Sequence, residues 1–353
     1  MQSRTKRCFT ILIKNIRKSG DSISILESSL KVKNLELKNR LIFPPMGTGM
    51  AEPDGKVNEK LIQYYDDRAR GAYLSMIIVE HSFVSQEGKA SERQLSAAED
   101  STIEGLRKIA ETIQKNGVKA VLQINHAGAS ASQKITGCPI VSASPIAGRN
   151  SCETAHSLSE EEIKKVVSDF ADAAERGKKA GFDGIEIHSA HGYLLNQFYS
   201  PYFNSRKDAY GKDLSGRIKI HLEIIKAVRE RVGEEYPLFL RLGACDYEEK
   251  GTTVEDSIAA AQEFEKAGID VLDISGGVHG YQIPGHREEG WFADITAQIK
   301  PHISIPVILT GGIRSLSKAE EFLTDGAADL IGVGRPIFKD SLWAKKAFEG
   351  QGN

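Results

Sequence analysis

The feature that most constrains the fold of this chain is a short unit that recurs along it. In each copy a helical stretch ends at a glycine, a turn follows, and an apolar run of four to six residues comes next. The clearest copies contain Gly181, Gly268 and Gly326. Glycine readily adopts the left-handed conformation that ends many helices, and near-continuous apolar runs are typical of parallel strands buried on both faces. The repeat therefore predicts helices that alternate with parallel strands.

The chain contains eight such apolar runs, and a helical pattern follows each of them. Strands are predicted at residues 41–46, 75–80, 120–125, 184–188, 238–242, 271–274, 307–310 and 330–333. Helices are predicted at residues 57–70, 102–115, 159–180, 217–232, 253–267, 292–299, 317–324 and 340–348. Eight units of this kind predict an α/β fold, the (β/α)8 TIM barrel. A doubly wound sheet is the alternative, but it needs a G-x-G-x-x-G turn after its first strand, and the chain contains none.

Three segments lie outside the repeat. Leu30, Val32, Leu35 and Leu37 alternate around a turn, which predicts a short N-terminal hairpin that plugs the lower end of the barrel. The barrel domain is therefore expected to span residues 30–353. Residues 1–29 contain six basic residues before the first acid and are expected to be a disordered extension or the product of an upstream start codon, with an organelle transit peptide as the alternative. Residues 128–157 are rich in Ser, Ala, Gly and Pro and predict a long loop.

Composition excludes several classes of protein. The 46 basic and 48 acidic residues give a net charge of −2, which argues against a nucleic-acid partner. None of the four cysteines is spaced as C-x-x-C, so neither an iron–sulfur cluster nor a structural zinc is expected, and a reducing, cytoplasmic location is favoured. No apolar run approaches the roughly 20 residues of a membrane helix. A homo-oligomer is compatible with the sequence.

The glycine pairs after the last two strands predict a phosphate site. Gly311-Gly312 follows the seventh strand, and Gly334-Arg335 follows the eighth. Glycine lets backbone N–H groups approach an anion, and the loops after the seventh and eighth strands are the usual phosphate site of these barrels. The alternative is two turns that merely need glycine.

A phosphate bound there would belong to a ligand that reaches across the barrel mouth. Two polar residues at other strand ends could contact the far end of that ligand. Arg241, in the fifth strand, is flanked by apolar residues and would hold a positive charge in a low-dielectric site, as a reduced, anionic flavin would need. Gln123, in the third strand, can both donate and accept, which suits the pyrimidine edge of such a ring. The alternative for Arg241 is a salt bridge inside the barrel.

Three polar rings follow the fourth strand within six residues: His188, His191 and Tyr193. Their burial is costly unless they face a cavity. A metal site is one alternative, although His-x-x-His supplies only two ligands; histidines packed in the core are another. We interpret them as two donors to an electronegative oxygen beside a tyrosine that acts as proton donor.

With these residues assembled, the chain closely resembles the Old Yellow Enzyme family of NADH:flavin oxidoreductases. It is most similar to the barrel portion of the bacterial members, including the dienoyl-CoA and enoate reductase branch. The resemblance covers most of the chain, from about residue 30 to residue 348. The matching motifs are LELKNR at 35–40, PMGTG at 45–49, QINHAG at 123–128, IHSAHGYLLNQFYSP at 187–201, NSRKDAYG at 204–211 and GRP at 334–336.

The resemblance implies a cofactor, a mechanism and a set of site residues. FMN would be reduced by NADH or NADPH in a ping-pong cycle and would pass hydride to the β-carbon of an unsaturated carbonyl, nitro or enoate substrate. His188 and His191 would bind the oxygen of this small-molecule substrate, and Tyr193 would protonate its α-carbon. The implied FMN contacts are Pro44, Pro45, Met46, Gly47, Thr48, Gln123, Arg241, Gly311, Gly312, Gly334 and Arg335.

The chain departs from the family pattern in three places. Many relatives carry Thr or Cys directly after the Met of the first strand, whereas this chain has Gly47 and then Thr48. Many relatives also have Arg after the H-A-G of the third strand, where this chain has Ala129. Longer relatives continue past G-R-P into an iron–sulfur segment and a nucleotide-binding domain, neither of which is expected here. Another FMN barrel dehydrogenase and a non-catalytic flavin-binding protein are the competing hypotheses.

Overall fold

The computed structural model describes residues 24–148, 153–283 and 285–350. Its strands are β1 (Leu30–Val32), β2 (Leu35–Leu37), β3 (Leu41–Phe43), β4 (Met76–Phe83), β5 (Lys119–Asn125), β6 (Val141–Ser142), β7 (His156–Ser157), β8 (Gly184–Ser189), β9 (Leu238–Gly243), β10 (Val271–Ser275), β11 (Val307–Leu309) and β12 (Leu330–Gly332). Its helices are α1 (Glu59–Ala69), α2 (Ile103–Gln114), α3 (Gln133–Thr136), α4 (Glu160–Lys179), α5 (Leu194–Tyr199), α6 (Leu214–Val232), α7 (Val254–Ala267), α8 (Ala293–Ile299), α9 (Leu316–Thr324), α10 (Arg335–Lys339) and α11 (Trp343–Phe348).

Eight of the strands form a closed parallel barrel. In chain order they are β3, β4, β5, β8, β9, β10, β11 and β12, and the ring closes where β12 pairs with β3, with Ile331 opposite Leu41. Each predicted strand overlaps one of them, so the predicted (β/α)8 barrel is confirmed. The first strand ends at Phe43 and not at residue 46, so residues 44–48 leave the sheet at the mouth of the barrel.

The aspartate in the sequence repeat has a structural role. In each of the three clear copies its carboxylate accepts a backbone N–H from the start of the preceding barrel strand, at 2.9 Å: Asp183 from Ala120, Asp270 from Leu238 and Asp329 from Val307. A basic residue also pairs with each carboxylate: Lys119, Arg229 and Lys300, respectively. Each aspartate therefore satisfies a strand N–H and ties two neighbouring strands together at the lower end of the barrel.

The predicted hairpin closes the lower end of the barrel. β1 and β2 are antiparallel and joined by Lys33-Asn34, with Lys33 in the left-handed region at φ 52°. The side chains of Val32, Leu35 and Leu37 are at most 6% exposed. They form one apolar cluster with side chains of the barrel strands: Ile42, Met76, Ile78, Val121, Phe239, Val271, Ile308 and Leu330. The lower half of the barrel interior is therefore a dry apolar core.

The helices differ from the prediction near the end of the chain and after β8. α10 was not predicted, and the helix predicted at residues 340–348 begins only at Trp343, as α11, because Asp340 is extended (φ −136°, ψ 106°). Its carboxylate accepts the N–H of Leu342 at 3.0 Å and pairs with Lys346 at 2.7 Å, which starts the second helix. The sequence also did not predict α5, which follows the fourth barrel strand directly and places its residues above the barrel wall.

The expected extension at residues 1–29 lies mostly outside the described residues. Of its described part, Leu26 is buried, and the Glu320 carboxylate on α9 accepts the backbone N–H groups of Ile25 and Leu26 at 2.7 and 2.9 Å. The chain therefore contacts the barrel before residue 30. Within the described ranges, no helix is long and apolar enough to cross a membrane.

The buried aspartate of the repeat generates a stability prediction. Asp270→Ala removes the acceptor of the Leu238 N–H and leaves Arg229 buried without its carboxylate, so we expect a loss of about 3–5 kcal/mol in the free energy of unfolding. Urea unfolding measures this loss. Asp325→Ala is the matched control, because Asp325 is exposed and belongs to another copy of the repeat, the one that contains Gly326. This variant should change the free energy of unfolding by less than about 0.5 kcal/mol. Similar losses in both variants would contradict the assigned role.

Candidate active site

A layer of polar side chains lies above the apolar plug, inside the barrel. Gln123 donates its amide N–H to the Glu186 carboxylate at 2.8 Å, and both are buried. Burial raises the pKa of Glu186 well above its usual range, and the nearby carboxylate of Asp273 raises it further. Burial also raises the pKa of Asp273, to about 6, although the charge of Arg241 opposes this. Of the two carboxyl groups, Glu186 therefore holds a proton more strongly, and Asp273 is the one that faces Arg241.

Arg241 occupies the centre of this layer. Its Nε lies 3.3 Å from Asp273 Oδ2, without the alignment of a hydrogen bond. Its Nη2 lies 3.4 Å from the hydroxyls of Ser275 and Thr310, which end the strands nearer the mouth. The salt bridge that the sequence left open as an alternative is therefore present, and the outer edge of the guanidinium still points toward the mouth of the barrel.

The ring of His188, near the end of β8, lies close to those of His191 and Tyr193, which follow the strand. The rings of His188 and His191 are 4.8 Å apart, and those of His188 and Tyr193 are 5.3 Å apart, both edge to face. His191 Nε2 hydrogen-bonds Ser275 at 2.7 Å, which links it to Arg241. His188 is buried, and its Nδ1 has no hydrogen-bond partner among the described residues. Burial and the charges of His191 and Arg241 hold the pKa of His188 well below its usual range, so this ring is neutral.

The backbone that carries these rings is held in an unusual conformation. His191 has a φ of 62°, a region that non-glycine residues seldom adopt. Its N–H donates to the Gly276 carbonyl at 3.1 Å, and the N–H of Gly192 donates to the Asn196 side chain at 2.8 Å. The turn is therefore fixed by the β10 loop on one side and by α5 on the other. Strain of this kind is tolerated where the surroundings determine the geometry, as they do at functional sites.

The segment after β3 is tied to the second barrel strand. The Thr48 hydroxyl donates to the Glu80 carboxylate at 2.7 Å, and the backbone N–H of Thr48 donates to the same group at 3.0 Å. Tyr65 lies on the other side of this carboxylate, with its hydroxyl 3.4 Å away. Burial raises the pKa of Glu80 to about 7. Glu80 thus fixes residues 47–50 at the mouth of the barrel and holds the hydroxyl of Thr48.

The glycines of the predicted phosphate site are required by the backbone and by packing. Gly311 and Gly312 have φ values of 105° and 71°. A Cβ at residue 312 would lie 2.5 Å from the indole Nε1 of Trp291, and one at residue 334 would lie 3.0 Å from the sulfur of Met46. The guanidinium of Arg335 lies 4.4 Å from the Trp291 ring centre. The two glycine turns and Arg335 therefore meet around Trp291, whose buried Nε1 has no partner among the described residues.

Two cavities open beside Tyr193. One, of about 250 Å³, is lined by Gly47, Gly49, Glu80, His81, Ala90, Ser91, Gln94 and Tyr193. The other, of about 410 Å³, is lined by Ser130, His191, Tyr193, His279, Gly280, Tyr281 and Gln282. Tyr193 is common to both, so its ring stands between the end of the first strand and the loop after β10. Nowhere in the described ranges do three or more His, Cys, Asp or Glu side chains form a group that could hold a metal ion.

Three residues of this region were not expected there from the sequence. Glu80 and His81 follow the second apolar run directly, so the rule that working residues lie at strand ends could have identified them. Trp291, in the long loop after β10, was not expected at the phosphate site, but it lies against the glycine turns and Arg335. His279 and Tyr281 do line the cavity beside His191.

Comparison with known proteins agrees with this architecture. The sequence profile of the NADH:flavin oxidoreductase / NADH oxidase family matches residues 27–352. The chain is 39% identical over 334 residues to an NADH oxidase of Thermoanaerobacter brockii, which covers 93% of this chain and 51% of the oxidase. It is 37% identical over 332 residues to an NADPH dehydrogenase of Halalkalibacterium halodurans, which covers 91% of this chain and 93% of that protein.

A solved structure shows the same fold. The old yellow enzyme homologue from Zymomonas mobilis superposes with a TM-score of 0.81 at 25% identity, covering 92% of each chain. This chain spans about half the length of the NADH oxidase that it matches. Its barrel, its strand-end residues and its match to the family profile over nearly the whole sequence agree with one another. The chain belongs to the NADH:flavin oxidoreductase / NADH oxidase family, the family of Old Yellow Enzyme.

Proposed function

We propose that this chain is an FMN-dependent ene-reductase that uses NADH or NADPH to reduce an activated carbon–carbon double bond. The observation that carries the proposal is the position of Tyr193. Its ring faces His188 edge to face and borders both cavities at the mouth of the barrel. A proton donor beside two imidazoles, in a cavity open to a small molecule, is the arrangement that reduction of a polarised alkene requires.

The residues present fit FMN. Gly311, Gly312 and Gly334 leave space where side chains would collide with their neighbours, so their backbone can approach a phosphate, and Arg335 and the unpartnered indole N–H of Trp291 lie beside them. Further around the mouth, Arg241 offers its outer guanidinium edge to the far end of the ring system, with Gln123 in the same layer. Residues 44–48, held by Glu80, would border the ring between these two ends.

The substrate chemistry follows from the protein groups. When bound, FMN would take a hydride from NAD(P)H and deliver it to the β-carbon of the substrate. His188 and His191 would donate to the carbonyl, nitro or carboxylate oxygen, where negative charge builds. Tyr193 would give its phenolic proton to the α-carbon and regain one from water. Each double bond reduced therefore consumes one NAD(P)H and one proton.

The two competing hypotheses have less support. A flavin-binding protein without catalysis would not need His188 to be buried with an unpartnered ring nitrogen beside Tyr193. A dehydrogenase of another FMN barrel class would need a cysteine near the first strand, and residues 41–50 contain none. The similarity to an NADH oxidase and to an NADPH dehydrogenase supports reduction of a flavin by a nicotinamide.

The phosphate site predicts which flavin binds. We expect mass spectrometry of the released cofactor to find one FMN per chain and no FAD, because one glycine cradle serves one phosphate. Gly312→Ala should lower the bound FMN by about tenfold or more, since its Cβ would collide with Trp291. Gly326→Ala is the matched control: its φ is 72°, but nothing lies within 4 Å of its Cβ, so FMN content should stay at the wild-type level. Stoichiometric FAD would contradict the proposal.

The ion pair beneath the mouth predicts opposite shifts in the flavin reduction potential. Arg241→Met removes the positive charge that stabilises the reduced, anionic cofactor, so the potential should fall by roughly 30–60 mV. Asp273→Asn frees the Arg241 charge from its partner and should raise the potential. A redox titration at pH 8, above the Asp273 pKa of about 6, measures both. Unchanged potentials in both variants would leave the pair with a structural role alone.

The position of Tyr193 predicts a separation of the two half-reactions. Tyr193→Phe keeps the ring and removes the proton donor, so reduction of the cofactor by NAD(P)H should remain nearly at the wild-type rate. Reduction of an enone such as 2-cyclohexenone should slow by about 100-fold. A nitroalkene should be affected less, because its nitronate product can be protonated in water. Stopped-flow measurement of each half-reaction is the test, and enone reduction at full speed would assign the proton to another donor.

A further inference from the structure

Residue 47 is a glycine for a steric reason. Gly47 does not have a positive φ, so its backbone conformation is open to any residue. A Cβ built on it would, however, lie 2.8 Å from Cε1 of the His81 ring, a contact that real side chains do not make. The imidazole of His81 therefore occupies the volume that a side chain at residue 47 would fill. Gly47 lies in the segment that follows β3, His81 lies in β4, and the two are complementary in shape.

His81 also faces the proton donor. Its ring is stacked on that of Tyr193, with centres 5.7 Å apart and planes inclined by 27°. Both rings and Gly47 line the same cavity of about 250 Å³. The backbone around His81 is fixed on both sides: its carbonyl accepts from the Gln94 amide at 3.1 Å, and Glu80, before it, is held by Thr48 and Tyr65. The ring therefore has a defined place between residue 47 and Tyr193.

The charge state of His81 suits a place beside a flavin and a phenol. Burial and the positive charge of Arg241 lower its pKa to about 4. The ring is therefore neutral at physiological pH, with one nitrogen that donates and one that accepts. With a pKa this low, the neutral imidazole is too weak a base to take the proton of the Tyr193 phenol.

We propose that His81 supplies from the second barrel strand the cofactor-facing side chain that residue 47 lacks, and that it positions Tyr193 for proton delivery. This inference rests on the proposed function for the role of Tyr193, but its steric part does not. His81 touches Tyr193 and not the reacting carbon, so it is a positioning residue. Gly47 and His81 form a steric pair, so the side chain at either position limits which side chains fit at the other.

A four-member set of variants tests the steric part: wild type, Gly47→Thr, His81→Ala and the double variant. Gly47→Thr alone should lower the unfolding temperature of the holoenzyme and raise the FMN dissociation constant of the apoprotein by about tenfold, because its side chain overlaps the imidazole. The double variant should recover the wild-type unfolding temperature, because the threonine then has room. Its FMN dissociation constant should lie within about threefold of the wild-type value. Gly47→Ala repeats the measurement with a smaller side chain if Gly47→Thr does not fold.

A double-mutant cycle tests the positioning part. His81→Ala should slow enone reduction by about tenfold when Tyr193 is present and should have little further effect in the Tyr193→Phe background. His81→Phe, which keeps a ring against Tyr193, should recover most of the rate. The FMN midpoint potential should shift in His81→Ala, because a group beside the cofactor is lost, and a residue that only filled the core would not change it.

Two results overturn the inference. One is a Gly47→Thr protein that binds FMN and unfolds like the wild type, since the steric pair would then not exist. The other is a loss of enone reduction in His81→Ala that is equal with and without the Tyr193 hydroxyl. If the wild type reduces no alkene, the proposed function fails, whereas the unfolding temperatures and FMN affinities of the four variants still decide whether Gly47 and His81 are coupled.

Discussion

Closure of the parallel sheet is the constraint on which the rest of this structure depends. A parallel strand satisfies its backbone hydrogen bonds only through neighbours on both sides, and the ring achieves this for all eight strands where β12 meets β3. Closure also creates an interior that must be filled. The lower half is filled by the hairpin β1–β2 and apolar side chains, so the polar groups are confined to the half nearer the mouth.

Burial of charge then decides how that upper half is arranged. Arg241 is 5% exposed and could not remain there unpaired. Asp273 supplies the counter-charge at 3.3 Å, while Glu186, whose pKa is raised by burial, accepts a hydrogen bond from Gln123. The layer is thus close to neutral beneath the mouth. The other polar contacts of Arg241, with the hydroxyls of Ser275 and Thr310, lie on the side of the layer nearer the mouth of the barrel.

The residues of the candidate site were largely visible in the sequence because the fold places function at strand ends. His188, His191, Tyr193, Arg241 and the glycine pairs were found from that rule, and the structure places the His188 ring 4.8 Å from that of His191 and 5.3 Å from that of Tyr193. Glu80 and His81 were missed because a single acid and a single histidine after an apolar run resemble the start of a surface loop, whereas β4 continues through them to Phe83. α10 and the later start of α11 were missed, because Asp340, which separates the two helices, is extended and accepts the N–H of Leu342.

The sequence by itself determined the eight barrel strands, a helix after each of them, and the need for glycine at Gly311 and Gly312, because periodicity and backbone conformation are local properties. The tertiary structure alone decided which distant side chains meet. The segment after β3 brings Gly47 against His81 of β4, and the register of β9 beside β10 places Asp273 opposite Arg241. Such partners are some 30 residues apart in the chain, and strand register, which depends on the closed ring as a whole, is what brings them into contact.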